Sequence, residues 1–344
     1  MPVPFIRPAH RTALAAGALL AVAGVALAGC AGGTTTDDGS AQTLTPVSIQ
    51  LGWTPNVENM ATIVAAEKGY FADEGIDITL LPGGPDVTAD AQVAGGNALM
   101  GVLSAEALAR SAAAGSGLVG LAATYQTTSS AIVTLADSGI TEPSDLVGHT
   151  LGMSQTDQPV YDPFFRLVGV DPDQIERVMV GSDPAALASG EVDAITGTLA
   201  NQPVALEQQG LDVVSIPLAD YGYDRWSGVF VSRASSLQDD EERSLITSML
   251  RAVRHGAEDA AADPEAAGQI VYDTYGADLG LDLDAQIAGA KIWAELSQEN
   301  IGENGLLYVD EAGLARLQTF FDTVGIDSDT SELFDLSVED EAFE

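Results

Sequence analysis

Trp53, Tyr221, Tyr223 and Trp226 offer flat apolar faces, while Asn56, Gln126, Thr198 and Asn201 offer neutral hydrogen-bond donors and acceptors. That set suits a neutral or weakly cationic heteroaromatic ring, stacked on its faces and hydrogen-bonded along its edge. The constellations needed for catalysis do not occur. The sequence has no P-loop and no Gly-x-Gly-x-x-Gly fingerprint after a strand. His10 lies in the N-terminal leader, and neither His149 nor His255 has a metal-ligand neighbour at useful spacing. A zinc site or a nucleophilic triad therefore has no support, and both histidines are expected at the surface. Carboxylate pairs such as Asp239-Asp240 are numerous, but among 51 acidic residues they carry no information. The chemistry on offer is reversible binding, with no cofactor, no metal and no catalytic group.

Cations are scarce. The lysines are Lys68 and Lys291, and Arg110, Arg166, Arg243, Arg251, Arg254 and Arg316 fall in helical patterns. Arg225 alone stands in a loop beside the candidate site. The formal net charge is −38, and residues 1–29 hold only the positive charges of Arg7 and Arg11. A site without a committed cation in so acidic a chain is a poor trap for a small anion. Helix N-termini and hydroxyls such as Ser104, Ser129 and Ser154 are the alternative anion holders. The same charge argues against nucleic acid and anionic lipid headgroups as partners. Its plain reading is solubility.

The elements that position these residues begin with residues 47–84. Val47, Ile49 and Leu51 alternate with Ser48 and Gln50, the period of a strand with two unlike faces. Asn56 can cap a helix with Val57, Met60, Ala61 and Val64 on one face, and Gly69 ends it. Ile76, Ile78 and Leu80 make a second strand, broken at Pro82-Gly83-Gly84. Two strands joined by a helix form a βαβ unit, with parallel strands and a right-handed crossover. Ligands in open α/β sheets sit beyond the carboxyl ends of such strands, where Trp53, Gly83 and Gly84 are.

Further along, Asp86 can cap a short helix through Val93. Ala98 to Leu103 and Leu118 to Ala123 are apolar runs fit for buried parallel strands. Ser104 follows the first; Thr124 to Ser130, with Gln126 and Ser129, follows the second. That polar run serves equally well as a ligand loop or as a solvated connection. Ala131 to Leu135 then leaves as a strand. Leu151 to Met153, Val178 to Val180, Val192 to Thr196, Val213 to Leu218 and Gly228 to Ser232 are the later strands. The polar stretch Ser154 to Asp162 adds Thr156 and Tyr161 to the candidate set. Asn97-Ala98-Leu99-Met100-Gly101 is echoed by Asp193-Ala194-Ile195-Thr196-Gly197, which fits two halves of similar build. Asp220 to Trp226 is the densest aromatic cluster and is expected to line the cleft. From Leu237 the chain reads as helices, with Trp293 and Phe320-Phe321 in the core. The tail from Asp327 is acidic and is expected to be partly disordered.

Three segments carry a resemblance to a known family. Leu51-Gly52-Trp53-Thr54-Pro55-Asn56, Ala66-Glu67-Lys68-Gly69-Tyr70-Phe71 and Glu74-Gly75-Ile76-Asp77 resemble the opening of bacterial ABC-transporter solute-binding proteins. The branch serves thiamine-pyrimidine precursors, riboflavin, sulfonates, taurine and nitrate. These motifs are specific for the branch, not for a ligand, and the resemblance covers residues 46–325. It implies an α/β chain of the periplasmic-binding-protein type 2 fold. Each of its two lobes would be a mostly parallel sheet flanked by helices, with a two-strand hinge. Lobe 1 would take residues 46–135 and 233–325, lobe 2 residues 136–232, and the acidic tail residues 326–344. It further implies a monomer that holds a small-molecule ligand between the lobes and delivers it to an ABC permease and ATPase complex.

The N-terminus fits that picture. Arg7 and Arg11 precede an apolar run from Ala13 to Ala28, the pattern of a signal peptide over residues 1–29. Cys30 is the only cysteine, so no intrachain disulfide can form. Leu27-Ala28-Gly29-Cys30 resembles the bacterial lipobox, which implies lipidation at Cys30, a flexible tether over residues 30–45 and membrane contact through the anchor alone, on the extracytoplasmic side. Many relatives border the ligand with an Asn-x-Pro, here Asn201-Gln202-Pro203. A related eukaryotic family makes the thiamine pyrimidine from its own histidine beside a Pro-Asn motif. Aligned on Pro55-Asn56, that position is Asn59 here, which counts against synthase activity and weakens a specific assignment to the thiamine precursor. Sulfonate, taurine or nitrate binding for the same kind of importer, an enzyme on the same fold, and a sensor lipoprotein are the alternatives.

Overall fold

The computed structural model describes residues 43–343 apart from 85–86, 156 and 182–183. Cys30, the leader, Asp86 and Thr156 lie outside the described residues. Among the described residues, ten strands form two five-stranded sheets. The first holds β1 (Thr45–Gln50), β2 (Ile76–Leu81), β3 (Met100–Leu103), β4 (Leu118–Tyr125) and, last in sequence, β10 (Gly228–Arg233), in the order β2-β1-β3-β10-β4. The second holds β5 (Ser130–Leu135), β6 (Thr150–Met153), β7 (Glu176–Met179), β8 (Ala194–Thr198) and β9 (Val213–Pro217), in the order β7-β6-β8-β5-β9.

The two orders are the same pattern. In each sheet the first three strands pair in parallel, and the one reversed strand, β10 or β5, runs antiparallel to both its neighbours. That reversed strand is the first one the chain forms after crossing over from the other sheet. The short echo between residues 97–101 and 193–197 falls on β3 and β8, which occupy the same place in the two orders. β5 therefore belongs to the second sheet and β10 to the first, each on the other side of the division read from the sequence. A fully buried apolar strand shows no sign of its direction or partner.

Two crossings connect the sheets, through residues 126–129 and 218–227. They touch one another through Thr128 Oγ1 and Ser227 Oγ, 3.1 Å apart. Close packing shapes the elements around them. The helix Met60–Glu67 is buried on nearly all sides, and the long helix Asp240–Ala262 crosses it at Gly256. A Cβ there would stand 2.2 Å from the Ala61 oxygen, so only glycine permits this approach. Gly120 on β4 likewise lies under the Phe334 ring, 2.6 Å from a notional Cβ.

Phe334 belongs to the acidic tail, which is ordered rather than loose. It forms the helices Thr330–Leu333 and Ser337–Phe343, and Leu333, Phe334, Val338 and Ala342 are buried. The net charge of the segment hides these apolar anchors, and Phe334 pairs with Gly120 on β4, the edge strand of the first sheet. Trp293, Phe320 and Phe321 are core residues, as expected.

Candidate ligand-binding site

The carboxyl ends of three strands, drawn from both sheets, converge. The loop after β1 supplies Trp53, Asn56 and Glu58; β4 ends at Tyr125; β8 ends at Thr198, and the turn after it supplies Asn201. Each is held locally. Gly83 donates its backbone N–H to the Trp53 carbonyl (3.0 Å), and a Cβ on Gly83 would meet the Leu51 oxygen at 2.5 Å. Asn56 caps the turn Val57–Asn59 by accepting the Glu58 backbone N–H at 2.9 Å. Asn201 Nδ2 donates to Thr198 Oγ1 at 3.2 Å.

One helix, Leu283–Leu296, underlies all three ends. Gln286 accepts the Val57 N–H at 3.3 Å, Gly289 lets the Ala200 carbonyl approach to 2.2 Å of a notional Cβ, and Trp293 stands edge-on to Tyr125 with ring centroids 6.2 Å apart. Residues 286, 289 and 293 share one helical face. Trp293 is thus core, yet its indole edge reaches the junction.

At the centre is Glu58. Burial pushes its carboxyl above the ordinary range, and hydrogen bonds from Thr198, Asn56 and Asn201 only partly offset this. The Tyr125 hydroxyl is pushed well up by burial and by the nearby Glu58 charge. Tyr125 Oη and Trp293 Nε1 are both buried, and the indole N–H is directed at the Tyr125 hydroxyl. Among the described residues no cation pairs with Glu58. The arrangement can accept and donate hydrogen bonds to a small polar edge between two walls, one from each sheet.

The remaining candidates have other partners. Gln126 is fully committed: its Nε2 donates to the Tyr308 carbonyl (2.7 Å) and its Oε1 accepts from Arg316 (2.9 Å). Ser129 is buried in the first crossing, and Ser104 caps the helix Ala105–Ala113 through the Ala107 N–H at 3.2 Å. Tyr161 is buried and donates to the Ala131 carbonyl at 2.9 Å. Gly84, with φ 158, is buried beside the Trp53 loop.

The aromatic cluster requires a correction. Tyr223 and Trp226 are 0% and 1% exposed, and their rings pack edge-on against Phe164, Phe320 and Phe334. They are core rings, and Tyr221 lies at the surface beside Phe164. The partners come from segments far away in sequence, so spacing alone did not reveal them. Arg225 is also committed, with its Nε 2.6 Å from Glu106 Oε1 and its Nη1 donating to Ser130 Oγ at 2.9 Å. Glu58 itself was overlooked, although it is the only acid between Leu51 and Ala66 and directly follows Pro55-Asn56-Val57. His149 and His255 are exposed, as expected. Among the described residues no group of three His, Cys, Asp or Glu could hold a metal, and no helix is long and apolar enough to cross a membrane.

Comparison with known proteins bears on this geometry. A family model described as NMT1/THI5 like matches residues 56–267. The formylaminopyrimidine-binding protein of Halalkalibacterium halodurans is 30% identical over 251 residues, covering 70% of this chain and 73% of that protein. A protein of Legionella pneumophila named 4-amino-5-hydroxymethyl-2-methylpyrimidine phosphate synthase is 26% identical, covering 65% of this chain and 72% of that protein. Among solved structures, the periplasmic aliphatic sulphonate binding protein SsuA from Escherichia coli superposes with a TM-score of 0.64 at 15% identity, covering 84% of this chain and 97% of that one. The last likeness shows the fold: two α/β lobes of the periplasmic-binding-protein kind.

Proposed function

The chain belongs to the NMT1/THI5-like family, and on that premise we propose that it is the solute-binding lipoprotein of an ABC importer. It captures a thiamine-pyrimidine-like or other heteroaromatic nutrient between its lobes and hands it to the permease and ATPase complex. The protein acts as a monomer, anchored through lipidated Cys30 on the extracytoplasmic side, and it binds without turnover. Lobe closure follows the hinge pattern, with residues 126–129 and 218–227 as the two hinge segments.

The observation that carries this reading is the convergence of strand ends from both sheets on uncharged donors and one carboxyl, with which no cation pairs among the described residues. A ligand touching both walls stabilises the closed form. Arg225, the one cation placed near the site by sequence, is paired with Glu106, which speaks against a sulfonate or nitrate. Asn59 donates to the Thr54 carbonyl at 3.3 Å and offers no imidazole, which speaks against a synthase. Relatives point the same way in part: one is named for binding a formylaminopyrimidine, another as a synthase.

A thermal-shift screen of thiamine precursors, riboflavin, nucleobases, taurine, alkanesulfonates and nitrate tests the proposal. At a hundredfold excess over Kd a true ligand adds roughly 2.7 kcal/mol, enough to raise the midpoint by a degree or more. The expected shift is with a heterocycle. A shift confined to the small anions would overturn the heteroaromatic assignment, and conversion of the ligand on incubation would make the chain an enzyme.

A further inference from the structure

An asparagine followed by glycine is open to attack by its own backbone, because glycine has no side chain to shield the attacking nitrogen. Of the asparagines in this chain, only Asn304 precedes a glycine. It is exposed, in the link between the helices Leu283–Leu296 and Glu311–Val324. We propose that Asn304-Gly305 is a self-modification site. The side-chain amide is lost through a five-membered succinimide, which Arg254 directs to open to isoaspartate. Three observations support this. First, the fold imposes the glycine. Gly305 has φ 85, and a Cβ there would stand 3.2 Å from Arg254 Nη2, so a bulkier residue cannot take its place and protect Asn304. Second, Arg254 Nη2 donates to the main-chain carbonyl of Asn304 at 2.7 Å. The guanidinium is held there by Glu258 at 3.0 Å and by the Phe343 ring, 4.7 Å from its centroid. Third, the Gly305 N–H is weakly engaged, donating to the Gly302 carbonyl at 3.3 Å, beyond the usual range.

The chemistry follows from these contacts. Hydroxide removes the Gly305 N–H proton, and the resulting charge falls largely on the Asn304 main-chain oxygen, where a cation already donates. The nitrogen bonds to Asn304 Cγ, the Cγ–Nδ2 bond breaks, and ammonia leaves with a proton from water. The ring has two carbonyls, Cγ and the former main-chain one. Water adds to either, and that carbon's bond to the ring nitrogen breaks. Opening at Cγ gives aspartate. Opening at the former main-chain carbonyl gives isoaspartate, whose main chain runs through Cγ. Arg254 polarises the latter carbonyl and faces the carboxylate formed from it. Overall one water enters, one ammonia leaves, and the chain gains one negative charge.

The test is incubation of the purified full chain at mildly alkaline pH, followed by peptide mass spectrometry that separates aspartate from isoaspartate at each asparagine. Conversion raises the mass by about one dalton. The folded chain should convert at Asn304 well before Asn56, Asn97 or Asn201. Its ratio of isoaspartate to aspartate should exceed that of the same chain unfolded in urea, where the Arg254 contact is lost. Arg254→Gln should slow conversion roughly fivefold to tenfold and lower the ratio to that of the unfolded chain. Arg254→Lys keeps the charge and should fall between. Asn304→Gln, which would need a larger ring, should abolish the signal. A folded chain in which Asn304 stays intact would overturn the site. An Arg254→Gln chain with the rate and ratio of the parent would overturn the part given to Arg254. If that variant does not fold, equal ratios in the folded and unfolded parent would overturn it instead.

Discussion

Replacing Glu106 with Gln should cost the fold about 3–5 kcal/mol. Glu106 is 1% and Arg225 8% exposed. Their contact, 2.6 Å from Nε to Oε1, joins the helix Ala105–Ala113 to the second crossing. Arg225 Nη1 extends the link to Ser130, the first residue of β5. Burial disfavours the guanidinium charge, and Glu106 together with Tyr223 and Tyr161 more than restores it. A glutamine of the same shape removes the countercharge and leaves a cation buried beside a neutral amide. Against a total stability of about 5–15 kcal/mol for a domain, that loss should be obvious in urea melts. Glu106→Leu combined with Arg225→Met should recover most of it, because apolar pairs of similar volume commonly equal or exceed a buried ion pair. A loss below about 1 kcal/mol in Glu106→Gln would mean that the pair behaves as an exposed one. The junction would then be wet, and Arg225 would be free to serve an anion after all.

Two further substitutions probe the frame. Gly256→Ala should destabilise the chain by about 2 kcal/mol in urea melts, because overpacking against the backbone of residues 61–65 outweighs the helix-propensity gain of about 1 kcal/mol; a stabilised variant would refute the close crossing. Burial pushes the Glu339 carboxyl up to about 9, above its unfolded range near 4.3. For an acid raised on folding, stability is full at low pH and is lost as pH rises toward the folded value. Between pH 6 and pH 8 the parent chain should therefore lose up to about 2.7 kcal/mol more than Glu339→Gln, measured as the difference in urea midpoints. Equal losses would show that the tail helix leaves Glu339 in water.

Much of the fold could be read from the sequence because its first unit is strongly patterned. The alternation of Val47, Ile49 and Leu51 and the runs at β3 and β4 correspond to strands, although Gln50 on the polar face of the interior strand β1 is buried as well. The echo between β3 and β8 reflects a real correspondence of position. The reversed strands were not legible, since Ser130–Leu135 and Gly228–Arg233 are buried on both faces and direction leaves no mark. In the candidate site, Asn56, Thr198 and Asn201 lie at the turns and strand end where the sequence signals put them. Tyr223 and Trp226 misled because their partners, Phe320 in a helix and Phe334 just past one, lie about a hundred residues away. Glu58 was hidden by composition: one carboxylate among 51 acids draws no notice until the strand ends around it are brought together.

The most direct test of the account is a crystal structure of the chain with whichever compound shifts its melting most. The account predicts a planar heterocycle lying between the loop after β1 and the turn after β8, within about 3 Å of Glu58 and Asn201. A ligand held elsewhere, for instance in the surface hollow of about 260 Å³ lined by Arg243, Thr247, Arg251 and Glu341, or one that touches a single sheet's loops, would contradict it.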